Sequence, residues 1–434
     1  MAFLGDRGGR WPPIGATSLQ DLNGRDGVGL GSVALVSGAR ATRRAVLAAG
    51  AGAIGASLTG CGPDRADRAD RTDRTDRRGN PAAGADEPSG APATSASATS
   101  GPSGPGRAYL GTYGQGIGTA PVDATTGAPA VENWQTAVRD ASWLALNADG
   151  SVLYAISEQT AGTVSALRVP AGGAPVPLNT VATGSGPAHV AVHPGGRFLF
   201  TSLYGGGAVV THPIGADGSV GAASDVRHHG ASGQQAHAHQ VTVDPSGAYV
   251  LAVDLGVDTV FVYALDPARG ALREVRRTGL PAGSGPRHLA FHPNGRFAYV
   301  VAENAATVTA CSWAGGVLTP GQVTAAAPAG VANHPAEIAV SADGRFVYVS
   351  NRGPDTVGVF SVGADGARLD RVAAPGCGGD WPRHLALDPG GKRLYVANQR
   401  SGSVVWFPLD PATGRPGPAA GTLSAPGVAQ VLLA

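Results

Sequence analysis

The feature that most narrows the possible folds is a unit of about 48 residues that recurs along the chain from Ser142 onward. Gly186-Pro187-Ala188-His189-Val190-Ala191-Val192-His193-Pro194-Gly195-Gly196-Arg197-Phe198 lines up with Gly285-Pro286-Arg287-His288-Leu289-Ala290-Phe291-His292-Pro293-Asn294-Gly295-Arg296-Phe297. The same frame returns at Ser142, Ala238, Pro335 and Pro382, which makes six copies. Each copy holds a short alternating strand, a Pro/Asp-x-Gly turn, a β-rich strand, a Thr-Val or Ser-Val strand and a weaker outer one. Glycine supplies the positive φ that such tight connections demand. Four short strands cannot bury both faces of their own sheet, but a ring of such sheets buries them against one another. The expected fold is therefore all-β, a propeller spanning 107–434.

The chain ends supply one more blade. Arg107-Ala108-Tyr109-Leu110-Gly111-Thr112-Tyr113 matches the second strand of a copy, and Gly427-Val428-Ala429-Gln430-Val431-Leu432-Leu433 matches a first strand. Pairing them closes a seven-bladed ring with a split blade and no free edge.

In a propeller the first strand lines the central channel and the second returns, so the start of one and the end of the other share a face. One column at the start of strand one reads Trp143, His189, Gln240, His288, Glu337, His384 and Gln430, which suits channel lining and hydrogen bonding between blades. The preceding column reads Ser142, Ala188, His239, Arg287, Ala336, Arg383 and Ala429. The repeat does not require its three large members, so function is expected there. The exit of strand two departs likewise at Glu158, Tyr204, Leu255, Glu303, Arg352 and Gln399, with Asp254 one place earlier in its copy. His239, Asp254, Arg287, Glu303, Arg352 and Arg383 are thus expected at one channel mouth. The turn histidines His193 and His292 belong at the opposite end, and His212, His228 and His229 have no placed partners.

The first hundred residues carry a different message. Thr42-Arg43-Arg44-Ala45-Val46-Leu47 has the form of a twin-arginine signal, followed by an apolar run to Leu58 and by Leu58-Thr59-Gly60-Cys61, the form of a lipobox. An export signal is expected over 1–60, with Cys61 lipidated and the protein held on the outer side of the cytoplasmic membrane. Residues 61–106, charged at first and then almost wholly Pro, Ala, Gly and Ser, are expected to be a disordered spacer. The remaining cysteines, Cys311 and Cys377, make no disulfide framework and read as buried thiols. A formal net charge of +1 lacks the basic surplus of a nucleic-acid binder.

The propeller resembles the seven-bladed lactonase family, which includes the propeller type of 6-phosphogluconolactonase and the fungal carboxymuconate lactonizing enzyme. The resemblance rests on Gln235-Ala236-His237-Ala238-His239-Gln240-Val241, Val253-Asp254-Leu255-Gly256-Val257-Asp258, Gly285 to Pro293, Val349-Ser350-Asn351-Arg352-Gly353 and Trp381-Pro382-Arg383-His384. It implies hydrolysis of a small lactone, with His239, Arg287 and Glu303 as catalytic residues. Arg352, Arg383, Asp254, His237 and His288 are then expected to bind substrate. Arginines suit an oxyanion, a carboxylate beside them stays ionised and can activate water, and His239 can pass a proton to the leaving alkoxide. Glu303→Gln and Arg287→Ala are each expected to reduce hydrolysis of the true lactone strongly while leaving the fold intact. His237 and His239, at i and i+2, also have the spacing of a metal pair, but no third ligand is in place, so neither metal nor cofactor is expected. A monomer is expected. The rival readings are a propeller that binds a ligand or protein partner without catalysis, and a quinone-dependent propeller dehydrogenase.

Overall fold

The computed structural model describes residues 106–434 apart from Gly172, Ala231 and Ser232; the export signal, Cys61 and nearly all of the spacer lie outside them. The described residues form seven antiparallel four-stranded sheets and no helix. The ring closes as expected. Val428–Leu433 is the innermost strand of the split sheet and pairs with Arg107–Thr112, followed outward by Ile117–Pro121 and Asn133–Gln135. Counting this sheet as blade one, blades two to seven begin with Leu144–Leu146, Pro187–Val192, Ala238–Val243, Pro286–Phe291, His334–Val340 and Pro382–Leu387.

The second strands are largely apolar because both of their faces are covered. Val152–Ser157, Phe198–Leu203 and Phe297–Ala302 are buried at every position, whereas the outermost strand Leu272–Gly279 is mostly exposed. The core lies between blades. Leu251, Val253, Val260 and Val262 of blade four interdigitate with Leu289, Ala298, Val300 and Trp313 of blade five. Cys311 sits in that layer and Cys377 in the one between blades six and seven; both are free thiols, and burial pushes them up to about 12 and about 11.

Specific polar links hold neighbouring blades in register. The Tyr154, Tyr299 and Tyr348 hydroxyls donate to the Gly218, Gly366 and Gly414 carbonyls in the next blade, at 2.8–2.9 Å. Tyr395 closes the circle by donating to Gly127 O of blade one at 2.8 Å. Gln240 grips both the N–H and the carbonyl of Leu289, and Gln430 does the same to Leu144. The turn histidines do lie at the opposite end. His193 Nε2 donates to Gly247 O at 2.9 Å and His292 Nε2 to Gly344 O at 3.1 Å. Tyr395→Phe removes one buried bond at the closure and is expected to cost about 1 kcal/mol in denaturant melts. An unchanged midpoint would show that the closure does not depend on it.

Candidate active site

Backbone geometry gathers the side chains of the mouth. In each blade the residue leaving strand two is tied to the residue that precedes strand one. Tyr113, Glu158, Tyr204, Leu255, Glu303 and Gln399 donate their N–H groups to the carbonyls of Gly427, Asp140, Gly186, His237, Gly285 and Trp381 at 2.7–3.0 Å, and Arg352 pairs with His334. Seven exit residues therefore stand in one rim. At Gly427 the φ of +71° and the nearby Tyr113 carbonyl leave no room for a Cβ. Trp381 holds the same position in blade seven at φ +65°, a backbone conformation that is costly for a bulky side chain.

Just inside the rim, six of the seven first strands carry a β-bulge. In blades four, five and seven the extra residue is His239, Arg287 or Arg383. A bulge turns two consecutive side chains to one side of a strand that would otherwise alternate them. Arg287 and His288 consequently face the channel together, with Arg287 Nη1 3.5 Å from His288 Nε2.

Two carboxylates anchor the mouth. Glu303 Oε2 lies 3.3 Å from Arg287 Nε and 2.6 Å from Arg352 Nη2. Arg287 is 1% exposed and also donates to Ala336 O at 2.6 Å; Arg352 is 5% exposed and donates to His334 O at 2.8 Å. Burial alone would raise the Glu303 carboxyl, but Arg352 and Arg287 outweigh it and hold the carboxyl below its usual value. Burial, with Arg352 and Arg383 nearby, lowers the Arg287 guanidinium to about 9, so it remains charged at neutral pH. Across the channel, Glu158 Oε2 accepts from Tyr113 Oη at 2.6 Å and from Ser142 Oγ, with Arg383 Nη2 at 3.8 Å. The Arg383 guanidinium lies 5.4 Å from the Tyr113 ring centroid. Trp381 carries Arg352 and Arg400 over its ring, at 5.4 and 3.4 Å.

Below the mouth the channel is filled by rings. Trp143 lies 4.3 Å from His189 and 5.1 Å from both His288 and His384, centroid to centroid. His288 Nδ1 reaches Glu337 Oε2 at 3.0 Å and its Nε2 reaches His239 Nδ1 at 3.1 Å. Burial, reinforced by charged neighbours, pushes His189, His239 and His288 well below 6.5. His384 falls to about 4, again chiefly through burial and against the pull of Glu337.

Of the residues expected at the mouth, His239, Arg287, Glu303, Arg352 and Arg383 are there. Asp254 is not. It is fully buried, and its carboxylate accepts from His229 Nδ1 at 2.7 Å and from the N–H groups of His237, Gly256 and Val257. It locks the loop that carries His237 and presents nothing to a ligand. His288 likewise offers no free nitrogen to substrate, since both are engaged within the protein. His237 stays at the rim, stacked on Tyr204 at 4.4 Å, with Nδ1 donating to Tyr204 O. Among the described residues no His, Cys, Asp or Glu group has the arrangement of a metal site. His212 and His229 are buried core histidines, the first between Thr183 Oγ1 and Gly221 O. Sequence reasoning passed over Tyr113, Ser142 and Glu158 as a second cluster. The signal was available, because Tyr113 and Glu158 stand in the same exit column as Glu303.

Comparison with known proteins agrees with this architecture. Residues 107–433 match the family described as Lactonase, 7-bladed beta-propeller. The chain is 31% identical to the 6-phosphogluconolactonase of Bacillus subtilis over 323 residues, which cover 71% of this chain and 92% of that protein. It is 30% identical to the 6-phosphogluconolactonase of Formosa agariphila, covering 64% of this chain and 83% of the relative. Among solved structures, the periplasmic gluconolactonase of Pseudomonas aeruginosa superposes with a TM-score of 0.71 at 31% identity, covering 76% of this chain and 99% of that one. By its blades, its closure and its sequence, the chain belongs to the seven-bladed β-propeller lactonase family.

Proposed function

We propose that this protein hydrolyses a small sugar lactone at the Arg287–Glu303–Arg352 mouth, with His239 as the general base. The observation that carries the reading is the convergence of two buried guanidiniums on one carboxylate beside a histidine whose Nε2 has no partner among the described residues. Water attacks the lactone carbonyl carbon and loses a proton to His239. The carbonyl oxygen becomes an oxyanion facing the arginines, and donors fixed in a dry site stabilise such charge strongly. Collapse of the intermediate breaks the ring C–O bond. The alkoxide takes the proton back, leaving one hydroxy acid for each lactone and water consumed. Glu303, tied to two guanidiniums and held below its usual value, is a weaker base than sequence alone suggests. Its part is to fix the arginines.

Three arginines against Glu303 and Glu158 make the mouth suitable for a polyhydroxylated or anionic ring, which guanidiniums bind by paired hydrogen bonds. The relatives named above act, by their names, on gluconolactone or its phosphate. The twin-arginine and lipobox pattern ending at Cys61 favours export and lipid anchoring, hence an unphosphorylated sugar lactone outside the cytoplasm. A pH-stat panel of sugar and aromatic lactones tests this. Turnover of at least one sugar lactone is expected, with kcat reduced about 10²-fold in His239→Gln. Thermal protection by lactones without any turnover would instead make the protein a binding propeller.

A further inference from the structure

Three groups, Glu337, His288 and His239, run in hydrogen-bonding sequence from the interior of the channel to its mouth. Glu337 of blade six has both oxygens engaged, Oε1 with the N–H of Ile338 at 3.0 Å and Oε2 with His288 Nδ1 at 3.0 Å. His288 of blade five passes the chain on through Nε2 to Nδ1 of His239 in blade four, at 3.1 Å. His384 stands on the far side of Glu337, its Nε2 3.7 Å from Oε2.

The direction of each bond can be assigned. Arginine has donors only, and Arg287 Nη1 lies 3.5 Å from His288 Nε2, so that nitrogen accepts. A neutral imidazole has one donor and one acceptor, which puts the His288 proton on Nδ1, facing the Glu337 carboxylate. The contact between the two histidines then requires His239 Nδ1 to donate, and Nε2 of His239 keeps its lone pair. We infer that Glu337 and His288 are positioning residues that present His239 Nε2 as a base and relay the proton it accepts to the Glu337 carboxylate. Resting on the lactonase reading, the relay adds a destination for the proton.

The destination follows from the charges. Arg287, Arg352 and Arg383 face the histidines, with Trp143 and His189 packed against them, so an imidazolium there is penalised. When His239 Nε2 takes a proton, its Nδ1 proton moves to His288 Nε2 and the His288 Nδ1 proton moves to Glu337. One proton enters at His239 and one arrives at Glu337, so no cation is left beside the guanidiniums. Burial raises the Glu337 carboxyl, which suits it to hold that proton.

Two-bond ¹⁵N–¹H correlation spectra of the full chain labelled at its 11 histidines read the tautomers without any turnover. His239→Gln and His288→Gln assign the signals. Both rings are expected in the neutral form with the proton on Nδ1; a proton on Nε2 of either ring would overturn the relay. In Glu337→Gln the amide oxygen can still accept from His288, so the tautomers persist while the proton has nowhere to go. There kcat is expected to fall roughly 10²-fold with KM unchanged, and the acid limb of kcat/KM to move to lower pH. Wild-type kcat and an unmoved limb in that variant would also overturn it. Should a variant not fold, the wild-type tautomer spectrum decides. If the tautomers hold and no lactone is turned over, the lactonase reading fails and the hydrogen-bonded arrangement stands.

Discussion

Glu303→Gln is expected to lower kcat/KM by about 10²- to 10³-fold and to cost on the order of 3 kcal/mol of folding stability. The sequence suggested that this change, like Arg287→Ala, would spare the fold; burial corrects that. Glu303 is the shared counter-charge of Arg287 and Arg352, which are almost fully buried and have Arg383 nearby. A neutral amide leaves guanidiniums that repel one another without the carboxylate that holds them in register. Breaking a buried pair from one side is costly because it strands the remaining charge. The same loss displaces the donors that face the oxyanion, so activity and stability fall together. Acetate or formate in the assay is expected to restore part of the rate by occupying the vacated anionic site. Turnover, melting temperature and carboxylate rescue measured on one preparation check all three parts. Full activity with an unchanged melting temperature would mean that the mouth does not depend on this carboxylate.

How far the sequence reaches is clear from particular residues. The repeat revealed the blades, the split closure and the exit column, because strand alternation and turn glycines recur in phase in every copy. Departures from that phase pointed to Arg287, Glu303, Arg352 and Arg383. Asp254 was misread because Asp-x-Gly at a strand end looks the same whether the carboxylate faces the channel or folds back onto its own loop. Only depth separates the two. The bulges were invisible for another reason: with an extra residue in the first strand of nearly every copy, the copies align with one another regardless. Without the bulge, Arg287 and His288 belong on opposite faces. The Glu337–His288 bond joins residues 49 apart in different blades; the repeat column marks both as channel-lining partners across blades, but not which members of it pair.

Acid sensitivity is the second large effect. Stability is expected to fall steadily as pH drops from about 6.5 towards 4, with cooperative unfolding inside or just below that window. The sign follows from proton binding. Unfolded histidines titrate near 6.5, whereas in the channel His384 is lowered to about 4 and His189, His239 and His288 are pushed well down, chiefly by burial. Between those values the unfolded chain binds more protons than the folded one, so stability rises with pH and is lost as pH falls. His384 alone accounts for roughly 3 kcal/mol across its shift, a large share of an ordinary domain's stability. Glu337 acts in the opposite sense, since burial raises it and protonation favours the folded form at low pH. One carboxyl does not offset four histidines. His189 is the informative position, because its Nδ1 is buried with no partner among the described residues and it packs on Trp143. His189→Phe keeps a ring there and removes one titrating group, so the acid midpoint is expected to move to lower pH with little change at pH 8. Melting temperatures recorded every half unit from pH 8 to 4, for wild type and variant, supply the slope. A flat profile from pH 7 to 5 would mean that water reaches these histidines in the folded protein, and the dry, cationic channel on which the oxyanion chemistry depends would then be wrong as well.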